Sequence, residues 1–481
     1  MSRDELPDLE RLSLAEKDDL IRALWPLHVV VGHLRAEVEE LQAKVRELEG
    51  KRSQDSHNSS KPPSSDGLAK PPAKPHSLRK SGQHPNGGQP GHTGQTLKQV
   101  DHPDRVLVHR PPAHCPACQC PLGKAAVVET RQVFDLPPLR FEVTEHQVLA
   151  ATCACGQVCR GEFPEGVSSP VQYGPAAWAA VVHLTHHPMM PVQRTAQLMG
   201  DFFELPMAEA TVLAAAKEAV VRLSPTVGAI GEALQVAEVA HADEAGLRIA
   251  GSLHWMHVMA TTLLTWVACH AKRGRQAFDD LGILAGFLGT LIHEGWKPYR
   301  DLLCKHGLCN AHHLRELTYL FEDLGQAWAG RMIDLLLSAC HEVGEAGAPL
   351  SESRRLFFLS RYAEILTEGE ALHPRAPPTG KRGRSRQSKA TNLLWRLRAY
   401  TDDVWRFATD RGVPFTNNLA EQAVRMSKVK QKVSGGFRTR KGADTFCIIH
   451  SYLATLHKQG ANLFHALPLT FQGQPPQPRL A

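Results

Sequence analysis

Between Ser53 and Asp104 the chain runs through Ser-Ser-Lys-Pro-Pro-Ser-Ser-Asp and Gly-Gly-Gln-Pro-Gly-His-Thr-Gly, a stretch with too little apolar surface to bury a core. No single fold threads through such a segment, so the 481 residues must be organised as modules on either side of it. The length agrees, predicting roughly two to four folded units. Residues 52–105 read as a basic flexible linker, whose lysines and arginines either follow a phosphate backbone or serve only as a tether.

Ahead of the linker, in residues 1–51, Val31, Leu34, Val38, Leu41, Val45 and Leu48 recur at alternating spacings of three and four. That is a heptad seam. It predicts a helix that self-associates as a coiled coil, giving a homodimer or higher assembly; the alternative is a helix lying on the protein's own core. Pro26 is expected to limit its N-terminal reach.

The opening Met-Ser-Arg-Asp-Glu is unlike a secretion leader, and no apolar run approaches the roughly 20 residues of a membrane helix. A cytoplasmic protein with no membrane partner is expected. There the 11 cysteines stay reduced, and six of them crowd between Cys115 and Cys159. Two short knuckles joined by a strand-like segment, Gln132 to Ala151, have the plan of a zinc ribbon over residues 106–165. Cys115, Cys118, Cys153 and Cys155 are the expected Zn²⁺ ligands. Because the second knuckle is C-x-C, Cys159 or Cys120 could replace one of them.

Residues 170–228 read as helices, with Pro191 to Met199 and Met207 to Leu213 resembling a helix-turn-helix or else part of a plain bundle. From Val236 the pattern changes to strands: Glu238 to Ala242, Leu247 to Ile249, Trp255 to Ala260 and Leu263 to Cys269. Helices follow from Leu314 to Leu372, then a basic stretch from His373 to Lys389, then helical patterns at Leu393 to Phe407 and Asn418 to Met426. The expected fold class is an α/β domain over 236–467 with a helical insertion at about 301–395, and a tail at 468–481. The net charge of +6 is mild, but the basic residues are clustered, as in a protein that meets nucleic acid.

Phosphoryl transfer on DNA commonly needs two divalent ions held by carboxylates from neighbouring elements. Asp243 and Glu244 follow a strand-like run, Glu294 follows Gly-Thr-Leu-Ile-His, and Glu421 sits in the helical Asn-Asn-Leu-Ala-Glu. Among 49 acidic residues spacing alone singles out none of them.

Three longer segments do. His241-Ala-Asp243-Glu244-Ala-Gly246-Leu247-Arg, Gly289-Thr-Leu-Ile-His293-Glu294-Gly295-Trp296-Lys-Pro-Tyr299 and Leu308-Cys309-Asn310-Ala-His312-His313-Leu-Arg315-Glu316 resemble the catalytic half of the insertion sequence 66 family of DDE transposases. So do Pro414-Phe-Thr416-Asn417-Asn418-Leu-Ala-Glu421 and the tract from Arg425 to Arg438. The likeness extends to the heptads, the Ser-Ser-Lys-Pro-Pro segment and the cysteine knuckles. It implies a ribonuclease-H-like fold, an Asp-Asp-Glu triad binding Mg²⁺ or Mn²⁺, and strand cleavage and transfer at the terminal inverted repeats. The partners implied are the element ends, target DNA and accessory proteins of the same element, at the bacterial nucleoid.

Carried over by position, the triad is Asp243, Glu294 and Glu421. Three departures stand out: Glu294 where the family has aspartate, Thr416 where it usually has aspartate, and Gln422 where it usually has arginine. An added methylene at a preorganised site costs up to about 10²-fold in rate. Two other roles therefore stay open, a catalytically impaired copy that only binds DNA through its zinc ribbon, and a scaffold subunit of a transposition complex.

On a helix, Arg425 and Lys428 fall on the face of Glu421. With Lys430, Lys432 and Arg438 they are expected to contact phosphates. Cys309 and His312 have ligand spacing on a helical turn, near Cys304, His306 and His313. The favoured reading is that these histidines pack or hydrogen-bond near the active site rather than bind a second zinc.

Overall fold

The computed structural model describes residues 12–53, 97–136, 139–377, 385 and 387–481. Most of the 52–105 linker therefore lies outside the described residues. The described residues of Met1–His76 and Lys217–Ala481 form one compact unit, and those of Ser77–Ala216 a second.

Helix α1 (Leu14–Ser53) starts twelve residues before Pro26 and runs through it, contrary to the sequence expectation. Its start is set by a capping box: Ser13 Oγ donates to Glu16 Oε2 at 2.7 Å, and the Ser13 N–H reaches the same carboxylate at 2.9 Å. In an exposed helix the carbonyl freed by a proline turns to water, which lowers the cost of continuing. Val31, Leu34, Val38, Leu41 and Val45 are all exposed along it.

In the Ser77–Ala216 unit, strands β1 (Ala150–Thr152) and β2 (Val158–Arg160) form a hairpin around Cys153 and Cys155. The segment expected as a strand from Gln132 contributes only its last two residues to that ladder, and Val133, Val143 and Leu149 stay exposed. β-favouring residues hold a strand only against a partner. Helices α2 (Pro175–His186) and α3 (Val192–Phe203) follow, and α4 (Glu209–Gln235) leads out of this unit, with Pro225 inside it.

The second half is built on a five-stranded sheet: β3 (Val239–Ile249), β4 (Ser252–Ala260), β5 (Thr265–His270), β6 (Thr290–His293) and β7 (Lys305–Leu308). Helices α5 (Arg275–Leu281) and α6 (Lys297–Arg300) lie in its connections. The spatial order is β5-β4-β3-β6-β7, with β3, β4 and β5 an antiparallel meander and β6 and β7 parallel to β3. The two short strands expected at 238–249 are one, paired with β4 from His241 to Ile249. β7 falls inside the range expected to be a helical insertion; Lys-His-Gly-Leu has little strand character of its own and is fixed by pairing with β6. Gly289 lets β6 reach β3, since a Cβ there would lie 2.3 Å from the Ala237 carbonyl oxygen.

After β7 the chain enters a helical insertion. It comprises α7 (Asn310–Thr318) with a π-helical turn at Tyr319–Asp323, α8 (Ala327–Ala346), α9 (Glu352–Leu372), α10 (Lys389–Ala399), α11 (Thr401–Val404) and α12 (Arg406–Thr409). Trp328, Phe358, Tyr362, Trp405 and Phe407 fill its core, which is continuous with Ile292 of β6, Leu308 of β7 and Phe415. Its two ends meet: the Asn310 N–H donates to the Phe415 carbonyl at 3.0 Å.

The chain returns in α13 (Asn418–Ser434), which lies against β3 and β4, and α14 (Arg440–Lys458), which lies against β5. Between them Gly436, at φ 137°, lets the backbone close on the end of β3, where the Phe437 N–H donates to the Arg248 carbonyl at 2.9 Å. α15 (Leu463–Phe471) extends past residue 467, and the expected tail folds back, with Tyr452 donating to the Pro476 carbonyl and Gln459 paired to the Arg479 backbone.

Candidate active site

β3 and β6 are in parallel register with His241 beside Ile292. Carried on by two residues, that register sets Asp243 level with Glu294. Asp243 lies within β3 and is buried, while Glu294 heads the turn after β6. The turn is fixed by the buried His293, whose Nδ1 accepts the Gly295 N–H at 2.9 Å. Glu421 stands in the first turn of α13, also buried.

Asn417 ties the start of α13 to the sheet. Asn417, fully buried, donates through Nδ2 to the Ala242 carbonyl at 2.9 Å, and its Oδ1 lies 3.0 Å from His241 Nδ1. Its backbone N–H meets Cys309 Sγ at 3.2 Å, and its carbonyl accepts the Glu421 N–H at 3.2 Å. One residue thus touches the strand of Asp243, the start of α7 and the turn of Glu421.

The three carboxylates share one electrostatic neighbourhood. Burial pushes the Asp243 carboxyl well above its usual range, and repulsion from Glu294, Glu244 and Glu421 adds to this. Among the described residues it accepts one side-chain hydrogen bond, from the Glu244 N–H at 2.8 Å. Glu244 is held differently: Arg273 pairs with it at 2.6 Å and Tyr299 donates its hydroxyl, though burial still leaves its carboxyl raised. Of the two neighbours, Asp243 is the one with acceptor capacity to spare. The excess negative charge around it is what a divalent cation relieves, and three carboxylates are the donor set such a hard cation takes, although among the described residues they are not drawn together closely enough to grip one ion.

His312 on α7 sits between the other two carboxylates, with Nε2 3.0 Å from Glu294 and Nδ1 3.9 Å from Glu421. Burial opposes its charge, but the Cys309 sulfur and the Glu294 carboxylate outweigh this and push the imidazole up to about 10. Burial likewise works against the Glu294 charge, yet His312, Arg315 and Arg273 hold that carboxyl below its usual range. Glu294 is the outermost of the three, its side chain 38% exposed.

The five basic residues divide. Arg425, Lys432 and Arg438 are exposed, Arg425 standing 3.7 Å from Glu421. Lys430 is half-buried, and Lys428 donates its amine to the Gly246 carbonyl at 2.7 Å, latching α13 to β3. Helical spacing gives the common face with Glu421 but not this latch, since a lysine's partner across 182 residues has no local signal. Asn417 was equally hidden; Cys309 and His312 were signalled by their C-x-x-H spacing.

In the ribbon segment each knuckle is formed. The Cys115 thiol is lowered by the backbone N–H groups of Cys118 and Ala117 and by the Cys118 side chain, and the Cys153 thiol by the backbone and side chain of Cys155. Paired thiols of this kind fit Zn²⁺. Among the described residues the two pairs are not gathered into one four-thiol cluster, and Cys159 lies in the β2 ladder opposite Ala151.

Acidic side chains gathered on a mixed sheet, beside an exposed basic helix, mark a protein that works on nucleic acid. Residues 170–445, more than half of the chain, match the model described as Transposase IS66 family, and the chain belongs to that family. Residues 112–156 match the zinc-finger binding domain of transposase IS66, and residues 4–98 match a family of unknown function. No curated protein matches the chain. It is thus a transposase with a DNA-binding, zinc-binding module. Among the described residues no helix is long and apolar enough to cross a membrane.

Proposed function

We propose that this transposase binds the terminal inverted repeats of its insertion sequence and cuts and transfers the strand ends, with Asp243, Glu294 and Glu421 holding two Mg²⁺ or Mn²⁺ ions. The observation that carries this is the convergence of the three carboxylates from β3, from the turn after β6 and from α13, where Asp243 is repelled by both of the others. A ribonuclease-H-like fold is supported by the sheet itself, an antiparallel meander continued by two parallel strands. When bound, the metal supplies Lewis acidity at the phosphodiester and a more acidic water. The chain's own residues supply the rest: Asn417 sets Glu421 against β3, Arg273 and Tyr299 keep Glu244 occupied, and Arg425 neutralises phosphate beside Glu421. The reaction is hydrolysis of the phosphodiester at the element end, followed by attack of the freed 3′ hydroxyl on target DNA.

Cys115, Cys118, Cys153 and Cys155 are the proposed zinc ligands, and the exposed heptad face of α1 is the proposed dimer seam. Accessory proteins of the element and a place at the bacterial nucleoid belong to the same reading.

Two experiments test it. Incubated with Mg²⁺ and a labelled terminal repeat, the purified protein should nick it. No nicking, with Glu294→Asp restoring it, would instead favour a copy impaired by its longer carboxylate, a reading the His312–Glu294 contact supports. Lys432→Ala and Arg438→Ala should weaken binding equally for specific and unrelated DNA and each flatten the salt dependence by about one unit of slope. A loss confined to the terminal repeat would contradict phosphate contact.

A further inference from the structure

Cys309, His312 and Glu421 place one sulfur, one imidazole nitrogen and one carboxylate oxygen within 4.8 Å of one another. Cys309 Sγ lies 3.7 Å and His312 Nδ1 3.9 Å from the same oxygen, Glu421 Oε1. Around a tetrahedral zinc ion, sulfur to oxygen spans about 3.5 Å and nitrogen to oxygen about 3.3 Å. Those two distances exceed the tetrahedral spans by about 0.2 and 0.6 Å, a shift within side-chain freedom.

Three further features suit a metal. His312 Nδ1 is buried and, among the described residues, has Glu421 Oε1 at 3.9 Å and the Cys309 sulfur as its polar neighbours. Its other nitrogen faces Glu294 at 3.0 Å, an outer carboxylate of the kind that orients a metal-binding imidazole, so zinc would bind at Nδ1 in exchange for its proton. The buried Cys309 sulfur accepts the Asn417 N–H at 3.2 Å, which fixes it beside Glu421. Magnesium takes oxygen ligands, whereas a thiolate, an imidazole and a carboxylate are a set for zinc.

We propose that Cys309, His312 and Glu421 form a zinc site of their own, separate from the cysteine ribbon, with Glu294 as its outer carboxylate. Three protein ligands leave a fourth position open to water. Because Glu421 is shared, zinc here excludes it from the oxygen site, so zinc inhibits magnesium-dependent cleavage. That second consequence rests on the function proposed above; the binding does not.

The test uses full-length protein with its ribbon loaded, titrated with Zn²⁺ against a chelator of known affinity. The wild type should bind about one zinc per chain beyond the ribbon. Cys309→Ser should lose that equivalent, and Glu294→Ala, at a partly exposed position that folding tolerates, should weaken it by about 10- to 100-fold. Asp243→Asn should keep the site even if cleavage is gone, which separates the two readings. A wild type that takes up no extra zinc, or one whose affinity is unchanged in both Cys309→Ser and Glu294→Ala, overturns the proposal.

Discussion

Asp243→Asn is expected to abolish strand cleavage while leaving the metal-free protein as stable as before or more so. The first half follows from the proposed role: removing one anionic ligand forfeits several kcal/mol of charge stabilisation, roughly 10³-fold or more in rate. The second follows from burial. The folded state raises the Asp243 carboxyl because burial and the nearby Glu294, Glu244 and Glu421 penalise its charge. A carboxyl raised by folding holds its proton more tightly in the folded state, so its contribution is most favourable at low pH. That contribution declines as pH climbs above the unfolded value near 4. Asparagine removes the penalty. Single-turnover cleavage and thermal melting without metal at neutral pH check both halves. A variant that cuts within about tenfold of the wild type, or melts well below it, sinks the assignment.

Asn417→Ala should be costly in both respects. It deletes the bonds to the Ala242 carbonyl and to His241 Nδ1, leaving two buried polar groups without partners at about 1–3 kcal/mol each. A total loss on the order of 3 kcal/mol is expected. It also frees the start of α13, and a shift of about an ångström in Glu421 lowers the rate by about 10²-fold. Denaturant midpoints and cleavage rates in excess Mg²⁺ measure these. An unchanged midpoint with an unchanged rate would show that Asn417 does not place α13.

The parts of this architecture that were readable in the sequence are those written in local periodicity or in a contiguous motif. The α1 helix, the helices after Leu314 and the strands from Trp255 are of this kind, and the contiguous motifs also carry the proposed carboxylates at 243, 294 and 421. What escaped depends on partners far along the chain. β3 looked like two strands because Asp243, Glu244 and Gly246 interrupt its apolar pattern; pairing with β4 through all of them makes it one. β7 is a strand only because β6 and Gly289 offer it an edge. Pro26 misled in the opposite direction, since a local rule about proline was overruled by a strong cap at Ser13 and by exposure to water. The segment from Gln132 shows the converse, strand-like composition without a neighbour to pair with.

The closed neck of the helical insertion has a consequence for how such a chain can vary. Chain leaves the sheet at Cys309, whose N–H is bonded to the His293 carbonyl at 3.0 Å, and comes back at Phe415, bonded to Asn310. Doorway and exit therefore coincide, and the hundred or so residues beyond them behave as a side room whose dimensions do not enter the distance between Glu294 and Glu421. Helices α8 and α9 can lengthen or shrink there while the neck holds, whereas α7 is constrained, since it carries His312 between Glu294 and Glu421.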